Sequence, residues 1–282
     1  MPGMNWRRRI LAGAAAAAVL VGAPRISAWG AVGHHVVARI AWARMTPAAR
    51  AQATTLLAGG QDAFVAASTW ADEVRAERPE TYNWHFVDIP VEQSHYDATR
   101  DCPATDKGDC VIAEIARARA DLADLTRTPA LRGEALKYLI HFVGDMHQPL
   151  HAIDNKDRGG NDVKVLALRA DDGRNTNLHA AWDTGLINLS DETEAARAAR
   201  LLAKPLEIHP GDLDLDPVMW AEQSHTTALR VTYTYPSFAT TGPGPDPIAL
   251  TEAYRTRAMA AIDYQLNLAG ARLAELLNAI LK

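Results

Sequence analysis

The sequence predicts an all-α protein, a single mostly helical domain that carries a small β-hairpin. Apolar residues recur at helical spacing along most of the chain, which is typical of helices that bury one face in a core. Pro and Gly interrupt this pattern at intervals, where helices must stop. One segment alone has a convincing strand pattern. Together these three observations indicate one helical core.

The helical pattern covers nine segments of the chain. In each segment the apolar residues lie three and four positions apart, so that one helix face can be buried. The breaks between segments fall at Pro and Gly, as in TTGPGPDP at residues 240–247. The predicted helices are residues 32–45, 47–58, 62–77, 111–126, 131–148, 178–187, 193–203, 217–233 and 247–280.

The predicted strand is VKVLAL at residues 163–168. It is short and rich in aliphatic residues, as strands are. The sequence DDG follows at residues 171–173 and can turn the chain. We therefore expect a small hairpin here.

Residues 1–28 are predicted to be an export signal that is removed. A basic head precedes an apolar run from Ile10 to Ala23, and the small residue Ala28 lies at a plausible cleavage point. The apolar run is too short and too rich in alanine to remain as a membrane anchor. Residues 29–282 would then form one domain, exported to the periplasm or secreted. The three arginines at 7–9 leave both ordinary and twin-arginine export open.

The chain is acidic, with a formal net charge of −5. Loss of residues 1–28 removes four arginines and no acids, so the remaining domain is more acidic still. Such a domain has no general basic surface for a long polyanion. If nucleic acid is the substrate, local charge must attract it.

Cys102 and Cys110 are the only two cysteines, with seven residues between them. An exported chain enters an oxidising compartment, which favours a local disulfide between them. The alternative is a pair of zinc-binding thiolates. No second cysteine pair or nearby histidine completes such a site.

Histidine and aspartate side chains recur at a spacing that suits metal binding. In HFVGDMHQPLH, His141 and Asp145 lie four positions apart on a predicted helix, so both project from one face and can hold one ion. His151 follows Pro149, where the helix must end or kink. Its ring can therefore turn toward a second ion.

A second pair repeats this spacing on another helix. One such pair alone is more often a surface hydrogen bond than a ligand pair, but two pairs reverse that expectation. The histidines without a carboxylate at ligand spacing are predicted to be structural or surface residues, namely His95, His147, His209 and His225. The second pair and the upstream candidates are His179, Asp183, Asp72, Arg75, His85 and Asp88.

The sequence WGAVGHH begins directly after the predicted cut, at Trp29. A free α-amino group has a pKa of about 8, so the amine of Trp29 can bind a metal near neutral pH. Its carbonyl oxygen can close a chelate, and His34 can add an imidazole. The alternative is that Trp29 packs as an N-terminal plug.

The candidate ligands are rich in nitrogen and oxygen and lack sulfur, which suits zinc. Three ions are needed to use them all. Three Zn²⁺ ions beside three carboxylates would leave a local charge of about +3, so an acidic protein can still bind a phosphodiester. The nine candidates are Trp29, His34, Asp72, His85, His141, Asp145, His151, His179 and Asp183.

The motifs together resemble the zinc-dependent, single-strand-specific nucleases of the mung bean nuclease type. These share a mostly helical fold with bacterial zinc phospholipases C. The resemblance spans residues 29–282, and several separated motifs in matching order are far more specific than one His and Asp pair. The motifs are WGAVGH, WADEVR, NWHFVD, HFVGDMHQPLH, GGND, NLHAAWD, WAEQS and AGARLAELLN.

The resemblance implies how the ligands divide among three zinc ions. One zinc takes Asp72, His85, His141 and Asp145. A close neighbour takes the amine and carbonyl of Trp29, His34 and the shared Asp145. The third takes His151, His179 and Asp183. Asp145 would thus have a catalytic role, because it joins the two zinc ions that activate the attacking water.

The resemblance also implies roles around the metals. Arg75 would stabilise the charge that builds on phosphate oxygens, while Phe86 would stack on a base and Asp88 would bind the base edge. Stacking requires an unpaired base, so the expected substrates are single-stranded DNA and RNA, cut to 5′-phosphorylated products. Asn161 would line the site. No protein partner is indicated and a monomer is expected, while a 3′-nucleotidase activity stays open.

Two other functions are compatible with this ligand set. A zinc phospholipase C would use the same chemistry, although such enzymes tend to carry Glu at the position of Asp183. A non-catalytic, zinc-binding secreted protein could keep the fold. The presence of Arg75 beside a full ligand set disfavours it.

Overall fold

The computed structural model describes residues 29–166, 168, 175–204 and 213–282. Within these residues the protein is mostly helical, as predicted. The predicted signal at 1–28 lies outside the described residues. The α-helices are α1 (Ala31–Arg44), α2 (Pro47–Leu57), α3 (Gln61–Ala67), α4 (Trp70–Val74), α5 (Ala98–Asp101), α6 (Val111–Ala123), α7 (Pro129–Met146), α8 (Leu178–Ala180), α9 (Glu194–Ala203), α10 (Pro217–Thr227) and α11 (Glu252–Ile280).

Short segments of tighter or wider helix join several of these elements. Within the described residues three are 3₁₀-helical, at Pro79–His85, Pro149–His151 and Ile187–Leu189. Two are π-helical turns, at Ala181–Gly185 and Ala228–Thr232. Each π turn continues an α-helix, so the predicted helices 178–187 and 217–233 change their winding near the C-terminal end. Such turns are frequent at functional sites.

Threonine caps set the start of several helices. Thr46 and Thr128 each precede a proline, and each side chain accepts a hydrogen bond from the backbone N–H three residues later. Thr193 and Thr251 cap α9 and α11 in the same way. Threonine at this position followed by proline is a strong start signal. The cap at Thr251 explains why α11 begins at Glu252 and not at 247.

The prediction of one continuous helix over residues 62–77 is wrong. The chain breaks at Ser68 and Thr69, which separate α3 from α4. The Ser68 hydroxyl donates to the Val65 carbonyl at 2.6 Å, a local bond that competes with helix continuation. The break frees the Ser68 carbonyl, which accepts a hydrogen bond from His141 Nδ1 at 2.6 Å.

A two-stranded antiparallel sheet is present at the place of the predicted hairpin. Strand β1 (Lys164–Val165) pairs with β2 (Thr176–Asn177), with Lys164 opposite Asn177. The paired part is shorter than the predicted strand at 163–168. The turn at 171–173 lies outside the described residues. The backbone of Ile248 also bonds to this segment. Its carbonyl accepts from the Leu166 N–H, and its N–H donates to the Lys164 carbonyl.

Helix α7 runs through the core and packs against α1, α2, α6 and α11. Its second half, from Leu139 to Met146, is buried throughout. Helices α1 and α11 approach closely, because a Cβ at Gly270 would lie 2.5 Å from the Ile40 side chain. The C-terminal helix is buried along Gln265–Ala274, as expected of core packing. A rigid core helix therefore carries His141 and Asp145.

Cys102 and Cys110 form the predicted disulfide, with a Cα–Cα distance of 5.1 Å. It joins the end of α5 to the start of α6. The alternative of two metal-binding thiolates is thereby excluded. Among the described residues, none of the helices combines the length and the apolar character that a membrane crossing requires.

A candidate metal centre

Four predicted ligands converge in the core between α4, the 3₁₀ turn Pro79–His85 and α7. His85 Nδ1 lies 2.9 Å from Asp145 Oδ2 and 3.0 Å from His141 Nε2. Asp72 Oδ1 completes the group, 3.5 Å from His85 Nδ1 and 3.7 Å from His141 Nε2. Tetrahedral zinc with bonds of about 2.0–2.1 Å places its ligand atoms about 3.3 Å apart. The four atoms match that cage.

The electrostatics of this cluster favour a cation at its centre. Burial lowers the pKa of His141, but the carboxylates of Asp145 and Asp72 outweigh it and raise the pKa to about 9. A buried imidazole that is held in its charged form reports a strongly negative local potential. Zinc bound at this point would supply the positive charge instead.

His34 lies on the opposite side of Asp145. Its Nε2 is 3.2 Å from Asp145 Oδ1, and its ring stacks on His141 with centroids 4.1 Å apart. Both His34 Nε2 and Asp145 Oδ1 are buried, and neither has a hydrogen-bond partner among the described residues. Buried polar atoms are rarely left so. A shared ion between them would satisfy both atoms.

Trp29 is fully buried next to this second position. Its neighbour Gly30 donates its N–H to the Asp183 carbonyl at 2.9 Å. A Cβ at Gly144 would lie 2.9 Å from His34 Nδ1 and 4.0 Å from Trp29 Cδ1. Small residues thus let the start of the domain lie directly on the α7 turn that holds Asp145.

The third cluster comprises His151, His179 and Asp183. The two Nε2 atoms lie 3.2 Å apart, and Asp183 Oδ2 is 3.3 Å from His179 Nε2. All three side chains are buried. Burial raises the pKa of Asp183 well above its usual range, which an adjacent cation would reverse.

Backbone carbonyls orient three of the histidine rings. His141 Nδ1 donates to Ser68, His151 Nδ1 donates to His85 at 2.7 Å, and His179 Nδ1 donates to Gly159 at 2.7 Å. Burial lowers the pKa of His151 and His179, so these two rings present an unprotonated Nε2 to their cluster. Metal-binding histidines are oriented in this way.

A cavity of about 350 Å³ opens beside these clusters. Its wall includes Arg75, Phe86, Asp88 and Asn161, the four residues that the sequence predicted around the metals. His85, His151 and His179 belong to the same wall, so the first and third clusters face this space. The remaining lining residues are Tyr82, Leu150, Asp154, Lys156, Arg158 and Gly159.

Arg75 is held against this wall at the end of α4. Its Nη2 donates to the Tyr82 carbonyl at 2.7 Å, and its guanidinium lies 4.1 Å from the centre of the Tyr82 ring. The Tyr82 ring in turn meets Phe86 edge to face, with centroids 6.4 Å apart. The stack fixes the cation beside the histidine clusters.

Asp88 and Asn161 lie on the same wall. The Asp88 side chain is open to the cavity, yet protein surrounds it elsewhere, and this desolvation, with repulsion from Asp154 and Asp101, raises its pKa to about 7. Asn161 Nδ2 donates to the Arg158 carbonyl at 2.9 Å. The amide of Asn161 therefore closes the loop that carries Arg158.

Four lining residues with polar or charged side chains were not predicted from the sequence, namely Tyr82, Asp154, Lys156 and Arg158. Three of them belong to the segment DNKDRGGN between His151 and Asn161. The signal was present, because charged residues there separate a candidate ligand from a glycine pair.

The histidines predicted to be structural or surface residues lie apart from the three clusters, where the structure describes them. His147 donates from Nδ1 to Val143 at 2.6 Å, and its Nε2 accepts from Arg272 at 2.8 Å. His225 contacts the Pro90 carbonyl, and His95 has a side chain that is 80% exposed. His209 lies outside the described residues.

The sequence of this chain is similar to that of known proteins from one family. The S1/P1 Nuclease family model matches residues 29–282. Nuclease P1 of Penicillium citrinum is 32% identical over 215 residues, which is 72% of this chain and 77% of the relative. Endonuclease 4 of Arabidopsis thaliana is 29% identical over 274 residues, 89% of each chain. Nuclease S1 of Aspergillus oryzae is 32% identical over 177 residues, 60% of this chain and 58% of the relative.

Proposed function

This chain belongs to the S1/P1 nuclease family, whose members are zinc-dependent phosphodiester hydrolases, and we propose that it is a three-zinc endonuclease for single-stranded DNA and RNA. One observation carries the proposal. The described residues include three groups of His and Asp that could each hold an ion. His85, His151 and His179 of these groups line a cavity that also presents a cation and an aromatic ring.

Asp72, His85, His141 and Asp145 would hold one zinc. His34, Asp145 and the amine and carbonyl of Trp29 would hold a second, with Asp145 shared between the two sites. The short distance between His34 Nε2 and Asp145 Oδ1 supports this sharing. His151, His179 and Asp183 would hold the third.

Bound zinc supplies a deprotonated water at neutral pH and neutralises charge on the phosphate and the leaving oxygen. The chain's own residues arrange the substrate. Arg75, fixed by the carbonyl and ring of Tyr82, donates to phosphate oxygens as negative charge builds on them. Its position is set before substrate arrives, so little reorganisation is needed.

The cavity wall suits an unpaired base. Phe86 is half-buried and presents its ring to the cavity, while Asp88 accepts hydrogen bonds from a base edge. An aromatic platform accepts any base but requires it to leave the duplex stack. We infer a preference for single strands with little sequence preference, and 5′-phosphorylated products.

We infer further that the enzyme acts outside the cytoplasm as a monomer. The Cys102–Cys110 disulfide fits an oxidising compartment. The family match begins at Trp29, the residue after the predicted cut, which supports removal of residues 1–28.

The test uses the chain that starts at Trp29, loaded with zinc. We expect about three zinc ions per chain, rapid cleavage of single-stranded DNA and RNA, and slow cleavage of duplex DNA. Asp145→Asn should abolish turnover, whereas His95→Gln, at an exposed position, should match the wild type. Preferential cleavage of phosphatidylcholine would favour the phospholipase instead. Full zinc loading without any turnover would indicate a non-catalytic protein.

A further inference from the structure

The segment from Asp154 to Asn161, which we call the pocket loop, alternates between buried and exposed residues. Asn155 and Asp157 are buried, with 1% and 0% of their surface exposed. Lys156 and Arg158 are exposed, and both line the cavity beside the metal clusters. The loop thus turns two polar anchors inward and two cations outward.

The inward anchors hold the loop from below. The Asp157 carboxylate accepts two contacts from the Tyr233 hydroxyl, at 2.8 and 3.0 Å, and one from the Gly160 N–H at 2.9 Å. Asn155 Nδ2 donates to the Ala239 carbonyl at 2.9 Å. The bonds to the Asp157 carboxylate are charge-assisted, and buried bonds of this kind fix a loop more firmly than surface contacts do. The backbone under both cations is therefore rigid.

The loop backbone is strained where the cations lie. Lys156 and Arg158 have positive φ values of 57° and 55°, followed by Gly159 and Gly160 at 59° and 80°. Only one other non-glycine residue of the described chain, Ala58, has a positive φ. Side chains with a Cβ adopt this region at a cost that the surrounding structure must offset, and such strain clusters at functional sites.

We propose that Lys156 and Arg158 form a subsite for the backbone phosphates of nucleotides next to the one at the scissile bond. The inference rests on the proposed function and deepens it, because it makes an extended single strand the preferred substrate over a single nucleotide unit. Among the described lining residues, the cations are Arg75, Lys156 and Arg158. The charge of Arg75 acts on both His151 and His179, which assigns Arg75 to the phosphate at the metal clusters and leaves the other two cations for neighbouring phosphates.

The carboxylates near the subsite do not block it. Arg158 pairs with Asp162 at 3.4 Å, but both side chains are largely exposed, at 64% and 45%. Such a surface pair contributes about 0–1 kcal/mol, so a phosphate can displace it. Asp154 is half-buried, and one of its oxygens accepts from the Gly159 N–H and the Asp157 N–H.

The loop also connects the subsite to the metal clusters. The Gly159 carbonyl accepts the Nδ1 proton of His179, so the residue after Arg158 orients a proposed zinc ligand. Phosphates bound by the loop are thereby placed in fixed register with the reacting bond. A nucleic acid strand fits this arrangement, because each of its nucleotides carries a phosphate. A zwitterionic lipid head group has a single phosphate and therefore none for the second subsite.

The experiment compares kcat/KM for a dinucleotide, which has one phosphodiester, with kcat/KM for a short single-stranded oligonucleotide. The wild type should prefer the oligonucleotide. In Lys156→Gln with Arg158→Gln the ratio should fall on the order of tenfold, and the salt slope of log KM for the oligonucleotide should lessen by about 0.7 for each cation removed. Each single variant should lie between. Arg127→Gln, which removes an exposed cation paired with Asp121, should keep the wild-type ratio.

The outcomes separate this inference from the proposed function. If wild-type protein with bound zinc cleaves neither substrate, the proposed function fails. If it cleaves both, and the double variant keeps the wild-type ratio and salt slope, the subsite is wrong. An effect of the double variant on anionic lipid vesicles, with none on the oligonucleotide, would also overturn it. Equal melting temperature and zinc content in wild type and variants exclude misfolding as the cause.

Discussion

The Nε2 atoms of His151 and His179 face each other at 3.2 Å inside the protein. Each ring uses its Nδ1–H as a hydrogen-bond donor: His151 donates to the His85 carbonyl and His179 donates to the Gly159 carbonyl. Burial also lowers the pKa of both rings, that of His179 to about 3. Two buried lone pairs therefore point at one another, an arrangement that repels unless a cation lies between them.

This contact predicts that metal removal destabilises the fold. Chelation leaves the lone pairs of His151 and His179 facing each other beside Asp183, so the melting temperature should fall and recover on addition of zinc. A ligand present at a thousandfold its Kd adds about 4 kcal/mol to the free energy of unfolding. Calorimetry with and without chelator measures the shift. A melting temperature that does not respond to zinc would contradict the assignment of the clusters.

Arg75 provides a second prediction. Arg75→Lys keeps the charge but loses the planar fork that pairs with phosphate oxygens and stacks on Tyr82. We expect kcat to fall about 100-fold, which is the usual effect of removing one such donor, while zinc content stays at the wild-type level. Steady-state kinetics with metal analysis tests this. Equal kcat in both proteins would remove Arg75 from the chemistry.

Much of the candidate site could be predicted because the spacing of residues along a helix determines the direction in which their side chains project. The spacing of His141 and Asp145 places both side chains on one face of a helix, and α7 has that geometry. His179 and Asp183 reach the same cluster even though the helix widens into a π turn between them. Ligand pairs that are close in sequence can therefore be predicted without a structure.

Other features depend on tertiary contacts that spacing does not encode. The break after α3 exposes the Ser68 carbonyl to His141, a contact between residues 73 positions apart in the chain. Lys156 and Arg158 lie at the cavity because Asp157 is tied to Tyr233. His141 is far from Ser68 in sequence and Tyr233 is far from Asp157, so neither of these two contacts could be predicted from local pattern.

His147 predicts a pH dependence of stability. Burial, followed by repulsion from Arg272, lowers its pKa well below the usual value, so the unfolded chain binds a proton near pH 6.5 that the folded protein does not. Stability should therefore fall as pH drops below about 6.5, by up to about 1.4 kcal/mol per pH unit for this one residue. Above about pH 6.5 the stability should not depend on His147.

The variant His147→Gln isolates that contribution. Gln retains an acceptor for Arg272 but does not titrate, so the loss of stability below pH 6.5 should be shallower than in the wild type. Metal-free protein is used, since the ligand histidines then contribute equally to both proteins. His95→Gln, at an exposed position, is the control and should keep the wild-type slope. Identical slopes for His147→Gln and wild type would exclude this role.

The N-terminus gives the sharpest prediction. Trp29 is buried against Gly33 and near Gly144, and Gly30 is tied to the Asp183 carbonyl. The first residue of the cleaved chain therefore has little freedom to move. Its amine can bind zinc only if signal removal has exposed it and if it has lost its proton, which occurs near pH 8 for a free amine. A chain that keeps Ala28 presents an amide nitrogen there, which is not a ligand. We expect that chain to bind fewer zinc ions than the chain that starts at Trp29, and to lose at least about tenfold in turnover.

Acetylation of the chain that starts at Trp29 is the matched control, because it removes the free amine and adds only a small group. Acetylated and Ala28-extended chains should share the same loss of zinc and of turnover, while their circular dichroism remains that of the wild type. If extension impairs activity and acetylation does not, the cause is steric and the amine is no ligand. If both forms equal the wild type in zinc content and turnover, the second metal is held without the N-terminus, and removal of the signal serves export alone.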